Sequence, residues 1–197
     1  MMMRRMALAG LGLALTALAG CANLTGITSD VTSYSQWPAD RKPASYTFER
    51  LPSQQAQPTA QDELEQAARV GLEQAGFVAA SNPSTADVNV QLSSRVGQYE
   101  RSYPYDRFGF YGGYGAGRLW GPGVGIGMRF DTPYYEREVS VLIRDRRTGQ
   151  SLYESRARND GNSAGGPDVL QAMFEAALKD FPQAAVNPRR ILIEKPR

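Results

Sequence analysis

Two stretches of this chain alternate apolar and polar residues with a period of two, so each presents one apolar face that something else must cover. In the first, Val88, Val90, Leu92 and Val96 point one way while Asn89, Gln91, Ser93 and Arg95 point the other. In the second, residues 136–144, the apolar set is Val139, Val141 and Ile143. This pattern marks strands half-buried in an antiparallel sheet whose other face meets solvent. The loop Asp145-Arg146-Arg147-Thr148-Gly149 then forms a hairpin, with Gly149 at the left-handed position. The return strand over residues 151–158 brings Tyr153 and Ala157 to its partner's apolar face.

Two segments have the periodicity needed to cover such a sheet. In one, Thr59 caps a helix with Asp62 at the capping-box position, Leu64, Ala68, Leu72 and Ala75 repeat at helical spacing, and Gly76 stops it. Its opposite side carries Asp62, Glu63, Gln66 and Glu73, which read as a solvated helix face. The other follows a Gly- and Asn-rich loop at 159–166. Pro167 opens it, Leu170, Met173, Phe174, Ala177, Leu178 and Phe181 form a core stripe, and Pro182 ends it. A strand over residues 44–51 with Tyr46 and Phe48 on one face is closed by Pro52, and residues 53–58 form a polar linker. Residues 82–86 form a turn, and Ile191-Leu192-Ile193 supply a last short strand. These elements predict an α+β fold: a two-layer sandwich with a mainly antiparallel sheet and two amphipathic helices on one face.

The chain opens differently. Arg4 and Arg5 precede an apolar region of thirteen residues, Met6 to Leu18, followed by Ala19, Gly20 and the only cysteine, Cys21. A membrane-spanning helix needs about 20 apolar residues, so this stretch reads as a secretory signal and not as a permanent span. Leu18-Ala19-Gly20-Cys21 resembles the lipobox of bacterial lipoproteins. The resemblance implies cleavage between Gly20 and Cys21, a diacylglyceryl group on the Cys21 sulfur, and membrane attachment through acyl chains such as palmitate. Ala22 stands where lipoproteins kept in the inner membrane often carry Asp, which implies an outer-membrane protein facing the periplasm. The expected organisation is a signal peptide at 1–20, a lipidated cysteine and Ser/Thr-rich tether at 21–43, and one α+β domain at 44–197. The tether leaves room for a first strand near Ile27 and Val31.

Composition narrows the chemistry. Twenty-two basic residues, less the two arginines of the signal, equal the twenty acidic ones, so no excess charge favours nucleic acid. The chain has no histidine, and its one cysteine is assigned to lipid. Ser-His-Asp and Cys-His nucleophilic systems and His- or Cys-based metal sites are therefore excluded. Carboxylate-only metal or acid–base sites survive as options, no cofactor or metal is expected, and the domain must stand on its own core without disulfides.

At this point the chain resembles the domain-of-unknown-function 4136 family. The matching features are the lipobox, Tyr46-Thr47-Phe48, the helix end Gly76-Phe77, and Ala86-Asp87-Val88-Asn89-Val90. The Thr148-Gly149 turn and Asp180-Phe181-Pro182 complete them. The resemblance implies a compact α+β domain on an envelope lipoprotein and brings no agreed activity and no catalytic residues.

Residues 97–130 form an insertion with ten of the twenty glycines and nine of the nineteen aromatics. Its Gly123-Val124-Gly125-Ile126-Gly127 run lacks the spacing, the lysine and the strand-to-helix setting of a nucleotide loop. Three readings stay open. The segment is a connecting loop, an adhesive surface, or a catalytic loop using Asp106 or Asp131. As an adhesive surface it would offer Tyr103, Tyr105, Phe108, Phe110, Tyr111, Tyr114 and Trp120 to an envelope protein, the bilayer interface or peptidoglycan glycans. The functional expectation is a non-enzymatic binding or scaffolding lipoprotein, with a carboxylate-dependent peptidoglycan glycan hydrolase as the alternative.

Overall fold

The computed structural model of the protein describes residues 26–99, 110–111, 125–126, 133–185 and 187–194. The alternating segments form long strands, β4 (Val88–Tyr99) and β7 (Tyr134–Asp145), paired antiparallel over twelve positions from Val88↔Asp145 to Tyr99↔Tyr134. The hairpin returns through β8 (Ser151–Gly161), which pairs Ile143 with Tyr153 and Val139 with Ala157 as expected. Gly149 has φ +73°, the conformation the turn requires. With β1 (Gly26–Ser35), β2 (Ser45–Phe48), β3 (Val78–Ala79) and β9 (Arg189–Glu194) they make a seven-stranded sheet in the order β3-β2-β4-β7-β8-β1-β9. The pairs β2–β3 and β2–β4 are parallel and the rest are antiparallel. A separate two-stranded ladder joins β5 (Phe110–Tyr111) to β6 (Gly125–Ile126).

One face of the sheet is covered by α2 (Pro58–Gln74) and α3 (Pro167–Leu178), and a four-residue helix, α1 (Pro52–Gln55), precedes them. Leu64, Ala68 and Leu72 of α2 and Met173, Phe174 and Ala177 of α3 meet Val88, Val90, Val139, Val141 and Ile143 in one continuous core. The two helices approach closely at Gly71, where a Cβ would lie 3.1 Å from the Phe174 carbonyl oxygen and 3.2 Å from the Glu175 nitrogen. Trp37, Phe77, Tyr153 and Phe181 close the hairpin end with edge-on ring contacts, and the Tyr153 hydroxyl donates to the Ala177 carbonyl at 3.1 Å. The α+β two-layer arrangement is the one the sequence predicts.

Several local expectations are corrected. The polar linker at 53–58 holds α1, where Gln54 Oε1 accepts from the Leu51 amide at 2.8 Å and so satisfies the helix start. α2 begins at Pro58, ahead of Thr59, because proline at the first helical position needs no amide partner. β8 runs on to Gly161, three residues beyond the expected end, since β7 continues beside it as far as Tyr135. α3 stops at Leu178, and Phe181 reaches the core from the following turn. Val96 shares the side of Val88 and Leu92 but is 49% exposed, because β4 extends past the edge of the helical layer.

The tether region contains the optional strand. β1 lies between β8 and β9, next to the sheet edge, although its sequence GITSDVTSYS is largely polar. Its inward positions are Ser29, Val31 and Ser33, all buried. Asn187 continues the ladder where β9 has not yet begun: the Ser33 amide donates to Asn187 Oδ1 at 2.9 Å, and Asn187 Nδ2 donates to the Ser33 carbonyl at 2.9 Å.

Candidate functional site

The two helices cover one face of the sheet and leave the other open. Outward positions alternate with core positions along each strand, so β1, β4, β7, β8 and β9 together present a wall of polar side chains. Charges on it are paired across neighbouring strands. Arg190 Nε meets Asp30 at 3.0 Å, Arg158 Nε meets Glu138 at 2.6 Å, and Arg144 Nη2 meets Glu49 at 3.1 Å and Gln91 at 2.6 Å. Arg156 pairs along its own strand with Glu154 at 2.8 Å. The carboxylate partners raise the Arg158 and Arg190 pKa values, so both guanidinium groups stay charged. Across β9, β1 and β8 the wall curves into a concavity of about 1290 Å³, lined among others by Thr28, Thr32, Tyr34, Arg156, Arg158 and Arg190. Threonine hydroxyls and paired arginines in such a hollow suit hydrogen bonding to a polar partner.

Near the end of β8, on the face that the helices cover, Arg137 is 7% exposed, beneath the loop that leads into α3. A Cβ on Gly161 would collide with Arg137 Nη2, and one on Gly165, at φ +91°, would lie 3.1 Å from Arg137 Cδ, so both glycines make room for this side chain. Arg137 Nε has no hydrogen-bond partner among the described residues, and burial lowers the Arg137 pKa.

Among the described residues two carboxyl groups have shifted pKa values and both move down: Asp145 to about 2, held by the Thr148 amide and Arg41, and Asp87 by its hydrogen bonds with Ser45. A general acid on a glycan needs the opposite shift. No group of three or more Asp or Glu among the described residues is placed to hold a metal ion. No helix among them is long and apolar enough to cross a membrane.

Of the candidate residues named from the sequence, Phe110 and Tyr111 form β5, and only their backbone is described. Tyr103, Tyr105, Phe108, Tyr114, Trp120, Asp106 and Asp131 lie outside the described residues, as do Gly20 and Cys21. Sequence reasoning missed two features. One is Arg137, whose signal is an arginine at an inward position of an apolar alternation. The other is Glu65, buried in the acidic run of α2 and held by Arg50 through Nε–Oε1 at 2.6 Å and Nη2–Oε2 at 2.8 Å.

The chain belongs to the family described as Domain of unknown function (DUF4136), whose sequence pattern matches residues 30–183, from within β1 to just beyond α3. No curated protein matches it. Among solved structures it is similar to a PDZ domain protein from Parabacteroides distasonis, at 9% identity and a TM-score of 0.48. That alignment covers 85% of this chain and 38% of the other, so this chain spans well under half of that protein. It is also similar to a PelC dodecamer from Paraburkholderia phytofirmans, at 13% identity and a TM-score of 0.41, over 76% of this chain and 94% of that one.

Proposed function

We propose that this protein is a lipid-anchored lipoprotein of the bacterial outer membrane, facing the periplasm, whose domain binds or scaffolds other envelope components without catalysing a reaction. Its recognition surface is the open sheet face, and its partner is an envelope protein or the glycan strands of peptidoglycan. The observation that carries the reading is the concavity of about 1290 Å³ on a face left open by both helices, where Arg156, Arg158 and Arg190 are each paired with a carboxylate. Such a face meets a polar partner at little cost in reorganisation. The anchor is supported by the Leu18-Ala19-Gly20-Cys21 sequence, with the first described strand starting at Gly26, five residues after the cysteine.

The test is crosslinking in cells with mass spectrometry of captured partners, comparing wild type, a Thr32→Arg/Arg156→Glu pair, and a deletion of residues 100–132. The expected result is loss of partners in the double variant, with its circular dichroism unchanged. An unchanged partner set would refute the open face as the binding surface. Partners lost only with the deletion would move the surface to the insertion. Release of muropeptides by the purified protein would replace the binding reading with the hydrolase.

A further inference from the structure

The strand registers bring five strand ends to one end of the sheet. β1 starts there at Gly26 opposite Glu194, the last residue of β9. β4 ends there at Tyr99 opposite Tyr134, the first residue of β7, and β8 ends there at Gly161 opposite Tyr135. The β7–β8 hairpin lies at the other end. Twelve residues of β7 at about 3.4 Å each separate the two ends by roughly 40 Å. Cys21 precedes Gly26 by five residues, which reach about 18 Å at most when fully extended. A chain fixed to a bilayer at Cys21 can therefore bring the Gly26 end of the sheet to the surface, whereas the tether spans less than half the distance to the hairpin.

Bare apolar side chains stand at the Gly26 end, while two others, Tyr34 at 61% and Val78 at 68% exposure, lie towards the hairpin end. Val96 is 49% exposed, Tyr99 54% and Leu192 44%, and each lies within four residues of that end on β4 or β9. Tyrosine with an apolar body and a polar tip suits the headgroup level of a bilayer, as do short aliphatic side chains held beside it. Charge is not the attraction. Arg95, Arg158 and Arg190 stand near this end among Asp30, Glu136, Glu138, Asp160 and Glu194, whereas Arg146 and Arg147 sit on the distant hairpin.

We propose that the Gly26 end of the sheet rests on the headgroup layer of the leaflet that holds the Cys21 acyl chains, with Val96, Tyr99 and Leu192 at the interface and the hairpin standing away from it. This rests on the lipid-anchor reading above. It adds an orientation: the sheet stands on the membrane, and its open face looks sideways along the surface.

The experiment uses the full acylated protein in vesicles of phosphatidylethanolamine and phosphatidylglycerol. Because Cys21 is acylated, a second cysteine gives a single thiol for an environment-sensitive fluorophore, placed by Val96→Cys, Leu192→Cys or, on the hairpin, Arg147→Cys. Spin-labelled lipid is expected to quench the labels at 96 and 192 several-fold more than the label at 147, with little change when the anionic lipid is left out. Equal quenching at all three positions, or stronger quenching at 147, would overturn the orientation while leaving the anchor standing. The intact mass is read on the same samples. A protein without acyl chains on Cys21 would sink the anchor and the orientation together.

Discussion

Replacing Asp145 with asparagine removes a charge that the fold holds in place, and the loss is expected to depend on pH. The carboxylate accepts hydrogen bonds from the Arg147 amide at 3.1 Å, the Thr148 amide at 2.8 Å and the Thr148 hydroxyl at 2.9 Å. Its other oxygen meets Arg41 Nη1 at 2.8 Å. Thr148 first and Arg41 second lower its pKa from 3.8 to about 2. A carboxyl group whose folded pKa is depressed stabilises the fold above its unfolded value and loses that contribution as pH falls through the folded one. The window is therefore pH 4 down to pH 2. The full difference corresponds to a ceiling of about 2.4 kcal/mol at neutral pH. The side chain is 17% exposed, and screening by solvent reduces the figure to roughly 1–2 kcal/mol. Asparagine keeps one carbonyl oxygen for the Thr148 amide but turns an NH2 group towards Arg41, so the charge and the acceptor for Arg41 are lost together. Urea unfolding of wild type and Asp145→Asn at pH 7 should show that gap, and the two curves should converge as the pH is lowered towards 2. A gap of constant size across this range would refute the argument, as would no gap at pH 7.

Other consequences of the packing can be read by thermal or chemical unfolding. Gly71→Val pushes two methyl groups against the backbone of α3, which is itself pinned to the sheet through Met173 and Phe174, and is expected to cost about 1–3 kcal/mol. A midpoint equal to wild type would show that the helices separate freely. Phe174→Ala empties a fully buried site between the helices and the sheet and should cost about 3–5 kcal/mol, measured as a fall in the urea midpoint with the slope unchanged.

The central part of the fold was legible because burial and period coincide there. Val139, Val141 and Ile143 are wholly buried on one side of β7, and polar residues alternate with them, so hydrophobicity alone reports the strand. β1 was harder to read because its inward positions include Ser29 and Ser33, and hydrogen bonding supports it as much as apolar burial. The Ser33 hydroxyl accepts from the Ala185 amide at 3.1 Å, a partner 152 residues away. The parallel pairing of β2 with β4 is written only in the order strand, helix, strand, since a helical crossover between residues 48 and 88 is what parallel neighbours need. Glu65 looks like its acidic neighbours until Arg50 is placed beside it. The open-face site is legible as alternating polar positions, but its concavity depends on β1 and β9 meeting, which only the fold brings about.

The neighbours of β1 also set an order of events in time. Asp30 pairs with Arg158 and Gly26 with Glu194, so β1 has no partner on either side until almost the whole chain has been made. Contacts that span nearly the full length of a chain form late and slowly. For a protein delivered across a membrane in an extended state, this keeps the residues just after Cys21 out of the sheet while the leading end is processed. The domain gains its edge only when the trailing segment arrives, so under the lipid-anchor proposal completion of folding would come after export.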